Sequence, residues 1–139
     1  MTRAMIQAID HAIGAHGRWK TRLRIALATG EGDLDPRMIC RDDACALGQW
    51  LHGFDHVARS DAHYRLVCAV HAEFHREAGR VLDLLGHGHR HEAANVMLGE
   101  FAECSDRLIR ALTAWKHQLG PARPPSARTR LAERAMLGG

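Results

Sequence analysis

Three histidines of this 139-residue chain stand where a packed helix would carry Leu or Ile. His16 sits in the series Ile6, Ile9, Ile13, His16, Lys20, Leu23, Leu27, and two more fall in Tyr64, Cys68, His71, His75, Ala78, Leu82, Leu85. Both series alternate steps of three and four, the spacing of one buried helical stripe. A buried polar ring without a partner costs on the order of a few kcal/mol, so each of these imidazoles calls for an acceptor. Two readings stand side by side: separate bonds to Ser, Thr or backbone carbonyls, or one shared metal ion. His71 and His75, four residues apart, place two rings on one face a turn apart, the usual geometry of two ligands from one helix.

Zinc takes nitrogen and sulfur donors and closes a tetrahedron in structural sites. Cys45, in a short segment between the two histidine-bearing helices, is the natural fourth ligand. Cys68 competes, lying three residues before His71, but three ligands from one helix rarely surround an ion. A di-iron oxygen carrier of the hemerythrin kind also uses histidines four apart on a helix. It needs bridging carboxylates, commonly as His-x-x-x-Glu, and no His here has Glu four residues later. Four protein ligands leave no water position for hydrolysis. Only Ser60, Ser105 and Ser126 are present as serine nucleophiles, and no phosphate-cradling glycine loop is evident, so enzymatic activity is not expected.

The elements that must position these groups are helical. One amphipathic helix is predicted over about 4–29, ended by the Gly, Pro and carboxylate-rich loop 30–38. A short helix capped by Asp42 or Asp43 ends near Gly53. A second long helix starts with Ser60 or Asp61 as cap and runs to about Leu85. A third covers about 92–118, with the stripe Ala94, Met97, Phe101, Cys104, Leu108, Ala111 and Trp115. The expected fold is all-α, an up-and-down four-helix bundle with an additional short helix carrying Cys45. Residues 1–119 are expected to form the domain and 120–139, rich in Pro and Arg, a flexible tail.

The net charge of +3 is carried by that tail, where Arg123, Arg128, Arg130 and Arg134 face Glu133 alone. The remainder is neutral, so nucleic acid is not an expected partner. No run approaches the roughly 20 apolar residues of a membrane helix, and the first residues lack the apolar stretch of a secretory signal. A soluble, cytoplasmic protein without a membrane partner is expected. Its four cysteines are read as thiols.

Three segments carry a resemblance: His16-Gly17-Arg18-Trp19-Lys20, Cys45-Ala46-Leu47-Gly48-Gln49-Trp50-Leu51 and His71-Ala72-Glu73-Phe74-His75. Their order and intervals of 29, 26 and 4 residues resemble the chemoreceptor zinc-binding domain family of bacteria over about residues 5–118. The resemblance implies zinc held by His16, Cys45, His71 and His75 inside a four-helix bundle. It further implies sensing of zinc availability or of thiol oxidants such as hypochlorous acid, with Cys45 as the redox-responsive group. Members are usually fused to chemoreceptor signalling regions or diguanylate cyclase domains, for which this chain has no room. Output through a partner in such a pathway, or through a homodimer, is therefore expected. A purely structural or buffering zinc is the alternative.

Trp19, Leu47, Gly48, Trp50 and Phe74 are expected to pack around the site and exclude water. Lys20 is expected to snorkel to the surface. His87, His89 and His91 read as solvated loop residues. His52 and His56 fit either ligand orientation or the surface. Cys40 is read as an unrelated thiol rather than a disulfide partner of Cys45, and Cys68 and Cys104 as small core residues.

Overall fold

Helix signals and helix breakers divide the chain into three long rods and one irregular leg. The computed structural model describes residues 2–30 and 34–120, and among these it has no strand. The first rod consists of α1 (Thr2–Gly17) and α2 (Trp19–Thr29). They meet at Arg18, where hydrogen bonding continues from the Arg18 amide to Gly14 and from the Arg22 amide to Arg18. The local break falls between two weak helix formers, Gly14 and Gly17, and the following turn. Gly30 ends the rod in the left-handed region at φ 75°, its amide donating to Ala26.

The leg holds α3 (Pro36–Ile39) and α4 (Ala46–His52). α3 lies inside the segment expected to be loop. Asp35 caps it by accepting from the Arg37 amide at 2.9 Å, and Pro36 supplies a fixed φ at the first helical position. α4 is capped by Cys45, not by Asp42 or Asp43; Asp43 instead takes the Arg41 guanidinium at 2.9 Å. A single 3-10 turn at Ala58–Ser60 leads into α5 (Ala62–Gly86), whose cap Asp61 accepts from His63 and Tyr64.

The last rod runs through α6 (Arg90–Val96), a π-bonded turn at Met97–Phe101, and α7 (Ala102–Leu119). Surface ion pairs add little stability but report direction. Lys116 meets Asp10 at 2.7 Å and Lys20 meets Asp106 at 3.9 Å, so the first and last rods are antiparallel. Arg107 with Glu73 and Arg80 with Glu100 make α5 antiparallel to the last rod. The leg runs antiparallel to α5, with Cys40 over Gly79 and Leu51 accepting from the Tyr64 hydroxyl at 2.8 Å. The order is up, down, up, down, and the second member is assembled from two short helices.

On the first rod the fully buried line is Ile9, Ala12, His16, Trp19, Leu23 and Ala26. Ile6, Ile13, Lys20 and Leu27, expected within the stripe, flank it half-buried. Close helix approach selects Ala where a hydrophobicity ranking selects Ile. α5, touched by both rods and by the leg, buries a wider face that includes Val67, Val70, Phe74 and Val81. Trp50, Phe54, Tyr64 and Trp115 close one end of the core, with ring centroids 4.9–6.3 Å apart. No helix among the described residues is long and apolar enough to cross a membrane. The expected tail at 120–139 lies, beyond Gly120, outside the described residues.

The leg depends on close approach at Gly79, where an added Cβ would stand 2.7 Å from the Cys40 Cβ. Gly79→Ala is expected to cost about 1–3 kcal/mol by overpacking. Gly86→Ala, with nothing within 4 Å, should be neutral or gain up to about 1 kcal/mol. Urea unfolding of both variants checks this; equal responses would show that the leg does not rest on α5 as described.

Candidate metal centre

Each of the four candidate donors comes from a position its local sequence fixes. His16 is in the last turn of α1, His71 and His75 are one turn apart on α5, and Cys45 is the cap residue of α4. The Cys45 Sγ accepts from the Gly48 amide at 3.4 Å, which holds the sulfur over the end of its own helix. Glycine is required at 48 because a Cβ there would overlap the Asp42 carbonyl.

The structure brings the four together. The Cys45 Sγ lies 3.8, 3.2 and 3.5 Å from the Nε2 atoms of His16, His71 and His75, and all four donor atoms fall within 4.8 Å of one another. The three rings stand edge-on, at interplanar angles of 78°, 89° and 85°. The histidines are buried and Cys45 is half-buried.

Two of the rings are oriented from behind. The Nδ1–H of His16 donates to the Ala12 carbonyl at 2.8 Å, and that of His75 to the Ile39 carbonyl at 2.9 Å. A carbonyl only accepts, so the proton sits on Nδ1 and the Nε2 lone pair faces the cluster. His71 Nδ1 is buried with no hydrogen-bond partner. Burial pushes His16 down to about 4 and, helped by the neighbouring His75 and His16, pushes His71 down to about 2. His75 is also lowered by burial. Burial raises the Cys45 thiol, against the pull of the Gly48 and Leu47 amides. At neutral pH the imidazoles are therefore uncharged, and the Nε2 lone pairs of His16 and His75 face the Cys45 sulfur.

This donor set fits zinc. Zn–N near 2.0–2.1 Å and Zn–S near 2.3 Å imply tetrahedral edges of about 3.3–3.6 Å, close to the Sγ–Nε2 separations. The group contains no carboxylate, so the bridging ligands of a di-iron carrier are missing from it. Among the described residues no second such group forms.

Residues 16–82 match the family model of the chemoreceptor zinc-binding domain, a span that begins at His16 and contains all four donors. Over that span the chain is similar to the chemoreceptor zinc-binding domain family. No curated protein and no solved structure matches the chain. The matched span thus encloses the whole His3Cys cluster of the core. The last rod, which packs on both α1 and α5, lies beyond the matched span.

The neighbours fall into two sets. Phe74 packs on His16 and His75 at 5.1 and 5.4 Å between centroids, and Trp19, Leu47 and Gly48 are buried near the cluster's ends. Trp50 instead joins the aromatic end of the core, against Phe54 and Trp115. Cys68 is outside the cluster beside Tyr64, and Cys104 is in the core with Arg107 donating to it. Cys40 is exposed, its thiol facing the Arg37 carbonyl, and all four cysteines are free. Lys20 is at the surface with Asp106. His52 and His56 are exposed, as are His87, His89 and His91; His87 bonds to the Asp83 carbonyl and His89 to Glu92. The carbonyls of Ala12 and Ile39 are the orienting groups that sequence inspection missed. Ala12 is one turn before His16, a detectable signal; Ile39 carries none.

An orphaned ring nitrogen among converging lone pairs stabilises nothing unless a cation is present. His71→Leu is therefore expected to raise the stability of metal-free protein by about 1–3 kcal/mol while abolishing the gain on adding zinc. Urea unfolding in chelator and in equimolar zinc measures both. A variant weaker than the parent in chelator would show that His71 is satisfied without metal.

Proposed function

We propose that His16, Cys45, His71 and His75 hold one zinc ion and that this domain is a regulatory sensor, in which Cys45 responds to zinc availability or to thiol oxidants. The observation carrying this reading is the unequal setting of the donors. Three are buried on long rods, while the fourth is a half-buried thiol on the short leg, lining an open groove of about 730 Å³. When bound, zinc would supply the charge that holds Cys45 as thiolate. An oxidant of the hypochlorous acid class can then reach the sulfur. The thiolate's electron pair attacks the chlorine of HOCl and expels hydroxide, water then displaces chloride from the sulfenyl chloride to give the sulfenic acid, and a sulfenic acid is a poorer ligand.

Losing Cys45 as a ligand would loosen the start of α4 from α1 and α5, while α3 stayed tied to α5 through Ile39 and Cys40. α3 buries no side chain fully and α4 buries Leu47, Gly48 and Leu51, so the leg has few other anchors. A partner from a chemoreceptor or diguanylate cyclase pathway is the proposed output, supported by the similarity to the chemoreceptor zinc-binding domain, with homodimerisation as the other route. The same weak anchoring favours one second reading, a zinc whose role is to stabilise the bundle or to be stored.

Elemental analysis of protein purified with its native metal is expected to give one zinc per chain, and well under half of that for Cys45→Ser after dialysis against a mild chelator. Hypochlorous acid added in about one molar equivalent should release zinc from the parent and much less from residual zinc-loaded variant. Full retention of zinc in Cys45→Ser would remove Cys45 from the ligand set. Zinc loss that leaves hydrogen exchange of residues 36–52 unchanged would favour storage over regulation.

A further inference from the structure

The groove beside Cys45 has a composition that the metal site does not explain. Its floor and walls are apolar, built from Ala8, Ala12, Ala15 and Trp19 on the first rod and Leu47 and Trp50 on α4. The alanines recur at helical spacing along one lane, where the absence of bulk lets another backbone approach closely. From Ala8 to Arg22 the lane spans fourteen residue steps, about 21 Å at about 1.5 Å per residue, or roughly four helical turns. Its rim is basic. Arg18, Arg22 and His11 line it, and no carboxylate does. Arg22 stands over the Trp19 ring at 4.1 Å, and neither arginine has an ion-pair partner among the described residues.

We propose that this groove docks an amphipathic helix of a partner protein, its apolar face on the alanine lane and its carboxylates on Arg18 and Arg22. Charge selects this occupant over two others. A second copy of the chain pairing through the same groove would set Arg18 and Arg22 against their own counterparts. Residues 121–139 of this chain carry four Arg against one Glu, the wrong sign for the rim. An occupant seated here would cover the Cys45 and His16 wall of the groove. That gives the regulatory reading of the zinc site an output surface, and in this respect alone the proposal rests on that reading.

The probe is an 18-residue capped peptide with Leu and Ala at i, i+3, i+4 and i+7 and Glu along both flanks, and a twin with every Glu replaced by Lys. Binding is followed by anisotropy on zinc-loaded and on chelator-treated full chain at low salt. The acidic peptide should bind the parent at least about tenfold more tightly than its twin, and Arg18→Glu/Arg22→Glu should reverse the preference. No binding of the acidic peptide to either metal form, or equal binding of both peptides, would overturn the docking proposal. So would self-association abolished by Ala15→Trp in a chain that ignores the peptide, which would assign the groove to a second copy. Charge-selective binding that is the same with and without zinc would uphold the docking surface and count against regulation through the metal.

Discussion

The structure turns on four electron-pair donors held against one another inside a helical core. Two of the three imidazoles are locked by carbonyls behind them so that their lone pairs point inward, and the third has nothing behind it. Burial keeps all three uncharged. Such a centre opposes folding unless it acquires a cation, because three inward nitrogens have left water with a single weak thiol donor to share among them. Hydrophobic residues of similar size would pack the same space at lower cost, so the polar choice is intelligible as a ligand set and not as a means of stabilising the bundle.

That constraint distributes work among the elements. Two of the rods bring three rigid imidazoles, each on a helix whose neighbours are fully buried. The leg brings one sulfur, and it does so by a backbone device: Cys45 caps α4 while Gly48 lets the chain pass under the Asp42 carbonyl. Ile39, on the other short helix of the leg, reaches the same cluster through the back of His75. The leg is therefore tied to the centre twice, by a sulfur and by a carbonyl, and little else in α3 is buried.

Much of this was legible in the sequence because the strongest signals are periodic or punctual. The α5 boundaries followed from Asp61 and the stripe, and the histidine pair from its four-residue spacing. Readings failed where two signals competed. Asp35-Pro36 is a helix start, but the surrounding Gly and carboxylates mark a loop, and α3 is short enough to satisfy both. Asp42 and Asp43 are better caps than Cys by propensity, yet the capping sulfur also has to face the cluster, and tertiary demand prevailed over local preference. The π-bonded turn at Met97–Phe101 shifts the buried line on its N-terminal side, where Ala93 and Val96 are buried and the expected Ala94 is half-buried, while Met97 to Trp115 keep the expected spacing. Ile39 acts through a carbonyl that every residue possesses, and no residue type announces such a role.

Placing the cysteine on the least anchored element has a physical consequence that placing it on a rod would not have. A ligand on a rod could be lost while the rod stayed packed by its buried face, leaving a local defect with no wider change. A ligand on the leg, once lost, leaves α4 with Leu47, Gly48, Leu51 and the Tyr64 bond to Leu51 as its remaining ties. Leu51 and the Tyr64 bond lie toward the aromatic end of the core, whereas Leu47 and Gly48 sit in the first turn beside Cys45, so loss of the sulfur would weigh on that turn first. Leu47 and Trp50 of that helix form one wall of the alanine-lined groove, and Ala12 and Trp19 of the facing wall flank His16 on its own rod. Under the proposed reading, a change in sulfur chemistry at one edge of the groove would alter the groove's width without any rod having to move. Small local chemistry would become a surface event there because Cys45 and that wall of the groove belong to the same short helix.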